Sequence, residues 1–512
     1  MPATPFAPRR AQAFRLAPLG FLSALALALP AHAALTGELW PGLGYDIVTG
    51  ADGNPMPVGF IAPTMAYTLP NGMLGGRAAG RGFAGGAAQY STGPSFVGYR
   101  GIVMTAAGAY ALGTLGANSV DGWTPIGAAS SSVQGIADTG LVAGSSDLWS
   151  DDGTHDFGGR PVWYAAGDTV PHPLAMPPGF TDSSGTGFGG SATISRHGVI
   201  VGWAQTFKGD ASDGTRAIRW MSTSAAPEVL DALPGRSPWG GPNASPVAVN
   251  DAGTVVGSGN TFDAAGNLRG FSAIRWDAGS TAATPLGHLG TAADGTFSSS
   301  AVAVDARGTA VGSSAKYDEA HLPHGDAAVR WPAKLARPVD LGNLGVGRDG
   351  QAWTYALGIN DAGMIFGDGQ AYTPAGDPLG WRAIRWLPGS DQPHALKPLS
   401  MGLSGKTYEY AFAINRKGWI AGTANAVLTD SNDASDPAHL AVHAVVWGPD
   451  GSIHDLNRLL PPGSPWKLYS AYAISDSGLV SGIGWYQPEG YPITWAYPRL
   501  YSMQLTKSET SD

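Results

Sequence analysis

The feature that most constrains this 512-residue chain is a pair of glycines, four positions apart, that recurs along its length. Two copies are nearly identical: Asn250-Asp251-Ala252-Gly253 and Asn360-Asp361-Ala362-Gly363 each precede a short apolar run and a second glycine. From Gly198 to Gly418 the first glycines are spaced by 55 residues four times in succession. The eight pairs are Gly72/Gly76, Gly140/Gly144, Gly198/Gly202, Gly253/Gly257, Gly308/Gly312, Gly363/Gly367, Gly418/Gly422 and Gly478/Gly482. Such a period predicts one structural unit copied eight times rather than several unrelated domains.

Each copy carries a second and a third landmark. A segment such as Ala328-Val329-Arg330-Trp331 ends in an aromatic residue after the glycine pair, and a Leu-Gly-x-Leu segment such as Leu341-Gly342-Asn343-Leu344 follows it. The aromatic position is assigned to Tyr99, Trp163, Trp220, Trp276, Trp331, Trp386, Trp447 and Trp495.

The chemistry of one copy predicts a four-stranded antiparallel sheet. Alternation in Ala-Val-Ala-Val indicates a strand with one buried face, and Asn-Asp-x-Gly is typical of a tight hairpin turn. The apolar run, the tryptophan segment and the leucine segment supply three more strands. One such sheet cannot cover both of its faces, but sheets stacked around an axis can, with the tryptophan filling the space between neighbours. We therefore predict an all-β, eight-bladed β-propeller of about 55-residue, four-stranded repeats; the alternative is a linear β-solenoid.

The ends of the chain are assigned separately. Residues 1–33 contain Arg9, Arg10 and Arg15, an apolar run and a small-residue cleavage site, which is the pattern of a signal peptide. The predicted single propeller domain spans 34–505, and the polar residues 506–512 are predicted to be a frayed tail. We expect a secreted or periplasmic protein without a membrane span, because no second apolar run of membrane length follows.

Composition narrows the partners. The formal net charge is −9, and no basic cluster follows the signal peptide, which argues against nucleic acid. The chain has no cysteine, so disulfides and thiol chemistry are excluded and burial of apolar surface must stabilise the fold. We expect a monomer that requires no cofactor.

The glycine and tryptophan spacing over about residues 65–495 resembles that of the HAF-repeat proteins, a family of predicted extracellular repeat proteins. In that family a leucine-glycine segment precedes Ala-x-x-Ile-Asn-x-x-Gly-x-x-x-Gly and a segment ending in tryptophan. This chain departs from the pattern by having Ala-Ile-Arg-Trp in place of His-Ala-Phe-x-Trp, with His443-Ala444-Val445-Val446-Trp447 the closest copy. The resemblance implies secretion and repeat architecture, but no catalytic residue set.

The loops differ in their variability, which suggests where a ligand binds. The hairpin turns are short and uniform, so the face that they form is expected to be plain. The loops before the tryptophan segment and after the leucine segment vary, and both sets should emerge on the opposite, variable-loop face. Trp123, Trp239, Trp353 and Trp466 precede hairpin strands there and are predicted to be exposed ligand-binding residues; the alternative is that they anchor their own loops.

Acidic loop residues are the candidate metal ligands. Carboxylates at Asp147, Asp151, Asp152, Asp430, Asp433 and Asp436 supply oxygens of the kind calcium prefers, although their spacing matches neither an EF-hand nor a glycine-rich calcium repeat, and solvated surface acids are the alternative. The segment from Asp318 to Asp326, with His321 and His324, is a second metal candidate, with an inert exposed loop as the alternative.

The sequence favours a non-enzymatic protein that binds a glycan or an extracellular protein through the variable-loop face. The alternative is a carbohydrate-active enzyme, a polysaccharide lyase or hydrolase whose site is assembled from several blades. His155, Arg160, Tyr164 and Tyr408 are candidates for such a site, but no motif selects a catalytic residue.

Overall fold

The computed structural model describes residues 35–41, 45–49, 55–60, 84–92, 95–105, 107–119, 127–235, 243–402, 405–426, 442–487 and 497–507. Over these ranges the chain is all-β, as predicted, and its one helical segment is the single 3-10 turn Leu456–Leu459. The predicted signal peptide lies outside the described residues. No helix in the described ranges has the length and apolar character needed to cross a bilayer.

The strands form eight successive groups, which we call sheets 1 to 8 in chain order. Sheet 1 contains β2 (Tyr45–Thr49), β3 (Pro55–Phe60), β4 (Ala84–Thr92), β5 (Ser95–Thr105) and β6 (Gly108–Ala111). Sheets 2 and 3 contain β7 (Ser131–Ile136), β8 (Val142–Trp149), β9 (Asp156–Tyr164) and β10 (His172–Pro173), then β11 (Gly189–Ile194), β12 (Ile200–Lys208), β13 (Ala211–Trp220) and β14 (Glu228–Leu230). Sheets 4 and 5 contain β15 (Ala244–Val249), β16 (Val255–Phe262), β17 (Leu268–Trp276) and β18 (Ala283–Pro285), then β19 (Phe297–Val304), β20 (Ala310–Tyr317), β21 (Pro323–Trp331) and β22 (Val339–Asp340). Sheets 6 and 7 contain β23 (Ala352–Ile359), β24 (Ile365–Tyr372), β25 (Pro378–Trp386) and β26 (His394–Ala395), then β27 (Glu409–Ile414), β28 (Ile420–Asn425), β29 (Val442–Trp447) and β30 (Ile453–Asp455). Sheet 8 contains β31 (Trp466–Ile474), β32 (Leu479–Tyr486) and β33 (Tyr497–Lys507), with β1 (Leu35–Pro41) as its outer strand. Sheets 4, 5 and 6 are also joined to one another by short parallel pairings of β17 with β19 and of β21 with β23, so that they form one 12-stranded hydrogen-bonded sheet.

Both glycines of the repeated pair have a steric role, as sheet 4 illustrates. Gly253 closes the turn between the inner strand β15 and the second strand β16 with a φ of 90°, a conformation that other residues adopt at a cost. Gly257 faces the inner strand so closely that a Cβ there would collide with the carbonyl oxygen of Ser245. The register of β15 and β16 shifts between Pro246 and Ala248, so the second glycine lies beside a bulge.

Hydrophobic clusters join each sheet to the next and also join the last sheet to the first. Val256 of sheet 4 and Trp331 of sheet 5 share one such cluster. Clusters of the same kind link sheets 1 and 2, 2 and 3, 3 and 4, 5 and 6, 6 and 7, and 7 and 8. The eighth cluster packs Ile102 and Met104 of sheet 1 against Leu479 and Leu500 of sheet 8. A linear stack of sheets would leave its first and last members apart, so this contact argues against the solenoid.

The strand β1 joins the two ends of the chain. It pairs antiparallel with β33, from Leu35 opposite Lys507 to Pro41 opposite Tyr501. Sheet 8 is therefore built from three C-terminal strands and one N-terminal strand. Thr506 and Lys507 belong to this pairing, so the ordered strand extends two residues into the segment predicted to be a frayed tail.

The tryptophan landmark is confirmed in sheets 3 to 7, where each ring is fully buried. The indole nitrogen also donates to a carbonyl of the preceding sheet, as Trp331 does to Gly287 at 2.9 Å. The buried tryptophans are Trp220, Trp276, Trp331, Trp386 and Trp447.

The assignments in sheets 1, 2 and 8 are wrong, as the strand register shows. In sheet 4 the buried tryptophan, Trp276, is paired with Val255, the first residue of the second strand. The same place in the register is held by Met104 in sheet 1, Tyr164 in sheet 2 and Met503 in sheet 8, rather than by Tyr99, Trp163 and Trp495. Gly86 is paired with Ile102 in the way that Gly257 is paired with Ile274. The second glycine of the first copy is therefore Gly86, ten residues after the predicted Gly76. Gly72, Gly76 and Trp495 lie outside the described residues.

Candidate functional site

The sheets have two unlike ends. At one end, the hairpin turns lie beside the loops that join the third strand of a sheet to its outer strand. Arg219, at the end of the third strand of sheet 3, donates to the carbonyl of Gly253 in the hairpin turn of sheet 4 at 2.6 Å. At the other end the two variable sets of loops meet, as Leu289 and Lys316 form a bridge and the Ser183 N–H donates to Asp210. The prediction that both variable sets share one face is confirmed.

Exposed aromatic rings mark the variable-loop end. Among the described tryptophans and phenylalanines, the four most exposed are Phe188 and Phe271 at 51%, Trp485 at 43% and Trp203 at 38%. Phe188 directly precedes the inner strand of sheet 3, and its carbonyl accepts the N–H of Gln205. Trp203 lies opposite Gly190, which has no side chain to cover the indole. Exposed apolar residues at the hairpin end, such as Leu335 and Leu387, are aliphatic.

The predicted ligand-binding tryptophans do not behave as one set. Trp466 begins β31 and is only 9% exposed, with its ring packed on Tyr486 at 5.2 Å and under the Arg499 guanidinium at 5.8 Å. The expectation that it is exposed is wrong, because its ring belongs to the cluster between sheets 7 and 8. Trp353 is half-buried as the second residue of β23. Trp123 and Trp239 lie outside the described residues.

Of the described candidate calcium ligands, Asp147 lies in β8, whereas Asp151 and Asp152 lie in the turn after it. Asp147 is half-buried in β8 and accepts the Ser130 N–H at 2.7 Å; burial raises the pKa of its carboxyl group. Asp152 accepts hydrogen bonds from Ser150 and Thr154 within its own turn, which lower its pKa to about 2. Asp151 is exposed beside it, and Asp430, Asp433 and Asp436 lie outside the described residues. In the described ranges no three His, Asp or Glu side chains converge as metal ligands.

Most of the remaining sequence candidates make local structural contacts; His155 is exposed with Nε2 3.3 Å from Thr186 Oγ1, and Tyr408 is half-buried. Asp318 accepts the N–H groups of Ala320 and Leu322 and contacts His324 at 3.2 Å, so this loop caps itself. Arg160 donates to the carbonyls of Gly185 and Gly187 in the next repeat. Tyr164 is fully buried and donates to Gly113, which removes it from any surface site.

The hairpin end is not plain, contrary to expectation. The second residues of the described hairpin turns converge there and form what we call the turn ring: Asp138, Arg196, Asp251, Ala306, Asp361, Arg416 and Asp476. Arg196 reaches across the ring, with Nη2 3.6 Å from Asp251 and 3.4 Å from Asp361, and Nη1 4.0 Å from Asp476. The ring thus ties turns of four different sheets together.

Below the turn ring, the inner strands enclose a cavity of about 330 Å³. Val302, Leu357, Ile359, Ala413 and Tyr472 are among the residues that contribute apolar surface to its wall, and the turn-ring residues contribute polar and charged surface. A cavity with a mixed lining of this kind is suited to a small ligand that carries both an apolar and a charged part.

A second group that the sequence did not reveal is buried between sheets 6 and 7. Asp368 accepts the Ala411 N–H at 2.9 Å, and Glu409 is fully buried beside Thr407. Burial raises the pKa of each carboxyl group to about 8, and nearby Arg382 only partly offsets this for Glu409. Because Glu409 is inaccessible, it is not a group that could act on a polysaccharide.

The turn ring was detectable in principle. Its residues occupy one column of the repeat alignment, and reading that column down the copies gives Asp, Arg, Asp, Ala, Asp, Arg and Asp. The turns are uniform in length, but the charge of their second residue varies.

The comparisons with known proteins give no family. No family model matches the chain, and no curated protein matches it. Among solved structures, the β-propeller domain of the Trilobed protease from Pyrococcus furiosus is similar at a TM-score of 0.42 and 9% identity, covering 78% of this chain and 95% of that one. A PL25 ulvan lyase bound to -[GlcA(1-4)Rha3S]- is similar at a TM-score of 0.35 and 10% identity, covering 78% of this chain and 98% of that one. The Aleuria aurantia lectin in complex with α-methyl-L-fucoside is similar at a TM-score of 0.27 and 12% identity, covering 61% of this chain and 90% of that one. At such scores, no activity is transferred to this chain.

Proposed function

We propose that this chain is an exported, monomeric, eight-bladed β-propeller that binds a glycan through its variable-loop face without modifying it. Three features support the proposal: the packing of the last sheet on the first, exposed aromatic rings, and the engagement of Arg160, Tyr164 and Asp318 in structural contacts. Export rests on the signal-peptide pattern of residues 1–33.

The propeller architecture is supported by the order of the sheets. Each sheet packs on its neighbours through one cluster, and the cluster of Ile102, Met104, Leu479 and Leu500 completes the cycle. The N-terminal strand β1 completes the last sheet, which ties the ring together by hydrogen bonds as well as by packing. We count each of the eight sheets as a blade.

The observation that carries the binding function is the position of the four exposed aromatic rings. Phe188, Phe271 and Trp485 lie toward the variable-loop end, and Trp203 lies near the middle of β12, opposite the start of the inner strand of sheet 3. Flat apolar faces in contact with water suit stacking on sugar rings, whose C–H groups are apolar on one side. The loops beside them differ in length, which would allow different polar contacts around a common stacking surface.

Two other functions are tested by the same experiment. A protein partner would also use exposed aromatics, since such residues are enriched at interfaces. A lyase or hydrolase would need an accessible acid or base. Tyr164 is buried, Arg160 is hydrogen-bonded to two carbonyls and Glu409 is inaccessible, whereas His155 is exposed.

The test is retention of the mature chain on a panel of immobilised neutral and acidic polysaccharides, with analysis of the soluble fraction. We expect retention without new reducing ends or unsaturated products. Trp203→Ala and Trp485→Ala should weaken retention, whereas Leu335→Ala, which removes a more exposed apolar residue at the hairpin end, should not.

Retention that is unchanged in both tryptophan variants would contradict the choice of face. Product formation would establish the enzyme alternative. Failure to bind any glycan, together with saturable binding of an extracellular protein that Trp485→Ala weakens, would replace the glycan by a protein.

A further inference from the structure

Trp485, one of the four exposed aromatic residues, has a lysine directly opposite it in sheet 8. Lys467 of β31 pairs with Trp485 of β32, and Pro498 of β33 pairs with Trp485 on its other side. The side chains of directly opposed residues in an antiparallel sheet lie on the same face, with Cβ atoms about 5 Å apart. Trp485 is 43% exposed and Lys467 is also exposed, so a flat apolar ring and an ammonium group reach the solvent side by side.

The strands that carry this pair are held by packing on both faces of sheet 8. Ile483 is two residues before Trp485 and therefore on the same face, where it is buried in the cluster that joins sheet 8 to sheet 1. Trp466 and Tyr486 lie on the opposite face, where their rings pack on each other at 5.2 Å. The pair is thus the exposed end of a packed seam between two sheets, which fixes the position of the indole ring.

The ammonium group of Lys467 is available to a ligand. Among the described residues it forms no ion pair, whereas Nζ of Lys316, also toward the variable-loop end, lies 2.7 Å from Asp340. A negatively charged group on a molecule stacked over Trp485 would therefore find an exposed cation beside it.

Phe188 illustrates the opposite electrostatic setting on the same face. Its ring lies against Gly158, where a Cβ would meet the ring at 3.0 Å. The N–H of Gly158 donates to the exposed carboxylate of Asp156 at 2.7 Å. A negatively charged group on a sugar stacked at Phe188 would meet a carboxylate, so the exposed aromatic rings differ in the charge of the sugar that they favour.

We propose that the glycan bound at the variable-loop face is anionic, and that the sugar stacked on Trp485 presents a carboxylate or sulfate group to Lys467. This inference rests on the proposed glycan-binding function and names the class of glycan. The indole ring takes the apolar C–H face of the sugar, and the ammonium group takes its negative charge. The chain as a whole is negatively charged, so a polyanion is not attracted to it without such a local site.

The test compares polysaccharides that share a backbone and differ in charge, with the mature chain in solution and the polymer immobilised. Polygalacturonate is compared with its methyl-esterified form, and dextran sulfate with dextran. We expect at least one charged polymer to bind about fivefold more tightly than its neutral counterpart, near the upper limit for one exposed ion pair, with the preference shrinking as salt is raised. Preference for polygalacturonate assigns a carboxylate, and preference for dextran sulfate assigns a sulfate ester.

Lys467→Met removes the charge but keeps an apolar stem of similar length. It should abolish the preference for the charged polymer, and Lys467→Arg should retain it. Lys417→Met removes one exposed lysine from the hairpin turn of sheet 7 and should leave the preference within about twofold of the parent. Trp485→Ala should weaken binding of the charged and neutral polymers alike.

Equal binding of charged and neutral polymers, or a preference that is unchanged in Lys467→Met with native circular dichroism, would overturn this inference. If neutral polymers still bind and Trp485→Ala weakens that binding, the glycan-binding function stands without it. Absence of binding to every polysaccharide would overturn both.

Discussion

Replacing Glu409 by threonine should stabilise the protein relative to the parent by an amount that grows with pH, because a buried carboxyl group is removed. The pKa of Glu409 is raised from 4.5 to about 8 by burial, so between these values the folded chain holds a proton that the unfolded chain has released. Stability from this group is therefore complete below pH 4.5 and is lost as pH rises toward 8. The slope is about 1.4 kcal/mol per pH unit for one proton, which gives roughly 3 kcal/mol between pH 5 and pH 7.

Threonine is chosen because the other repeats use a hydroxyl at this place. Thr354 in sheet 6 accepts the Ala328 N–H at 3.0 Å and donates to Gly342 at 3.2 Å, and Ser299 in sheet 5 accepts the Ala273 N–H. The corresponding donor in front of Glu409 is the N–H of Ala383, which holds the place of Ala328 in the register.

The assay is denaturant unfolding at pH 5, 6, 7 and 8 for the parent, Glu409→Thr and Glu319→Thr, the last removing an exposed acid. The gain in stability of Glu409→Thr over the parent should grow with pH, while Glu319→Thr should follow the parent. Parallel pH profiles for the parent and Glu409→Thr would refute the idea that Glu409 is protonated in the folded state.

Three further outcomes follow from the packing and charge. Trp331→Ala should lower the free energy of unfolding by about 3–5 kcal/mol, since it empties the space between sheets 4 and 5; a loss near zero in denaturant unfolding would contradict that packing. Trp466→Ala should lower the melting temperature and Trp485→Ala should not, because one ring is 9% and the other 43% exposed; equal shifts in a thermal melt would contradict this contrast. Ala306→Arg should raise the melting temperature slightly at low salt, and the gain should disappear at high salt, as expected for a surface ion pair.

The sequence was informative where the repeat imposes one local structure. Gly253 and Gly257 are recoverable from pattern alone because one needs positive φ and the other touches the neighbouring strand. Trp331 is recoverable because burial between sheets demands a large apolar side chain in the same column. The pattern fails in sheets 1 and 8, where methionine fills that place: Met104 and Met503 are flexible apolar residues that pack as tryptophan does, without its signature.

Function was less recoverable because it depends on residues that break the repeat. Trp466 looked like an exposed loop residue, yet Tyr486 and Arg499 from later strands cover it, and sequence distance concealed that contact. Asp361 looked like an ordinary turn residue, and its contacts with Arg196 and Ala306 appear only when the turns of sheets 3, 5 and 6 are brought together.

The proposed cyclic arrangement of eight blades is tested most directly by joining β1 to β33 covalently. The chain has no cysteine, so two introduced cysteines react without background. Glu38 is opposite Gln504, and directly opposed residues of an antiparallel pair lie within disulfide range. Mild oxidation of the Glu38→Cys/Gln504→Cys variant should give a disulfide within one molecule. The Glu38→Cys/Met503→Cys variant, whose cysteines are one residue out of register, should not form it. A disulfide only between molecules, or none in the first variant, would contradict closure of the ring by the N-terminal strand.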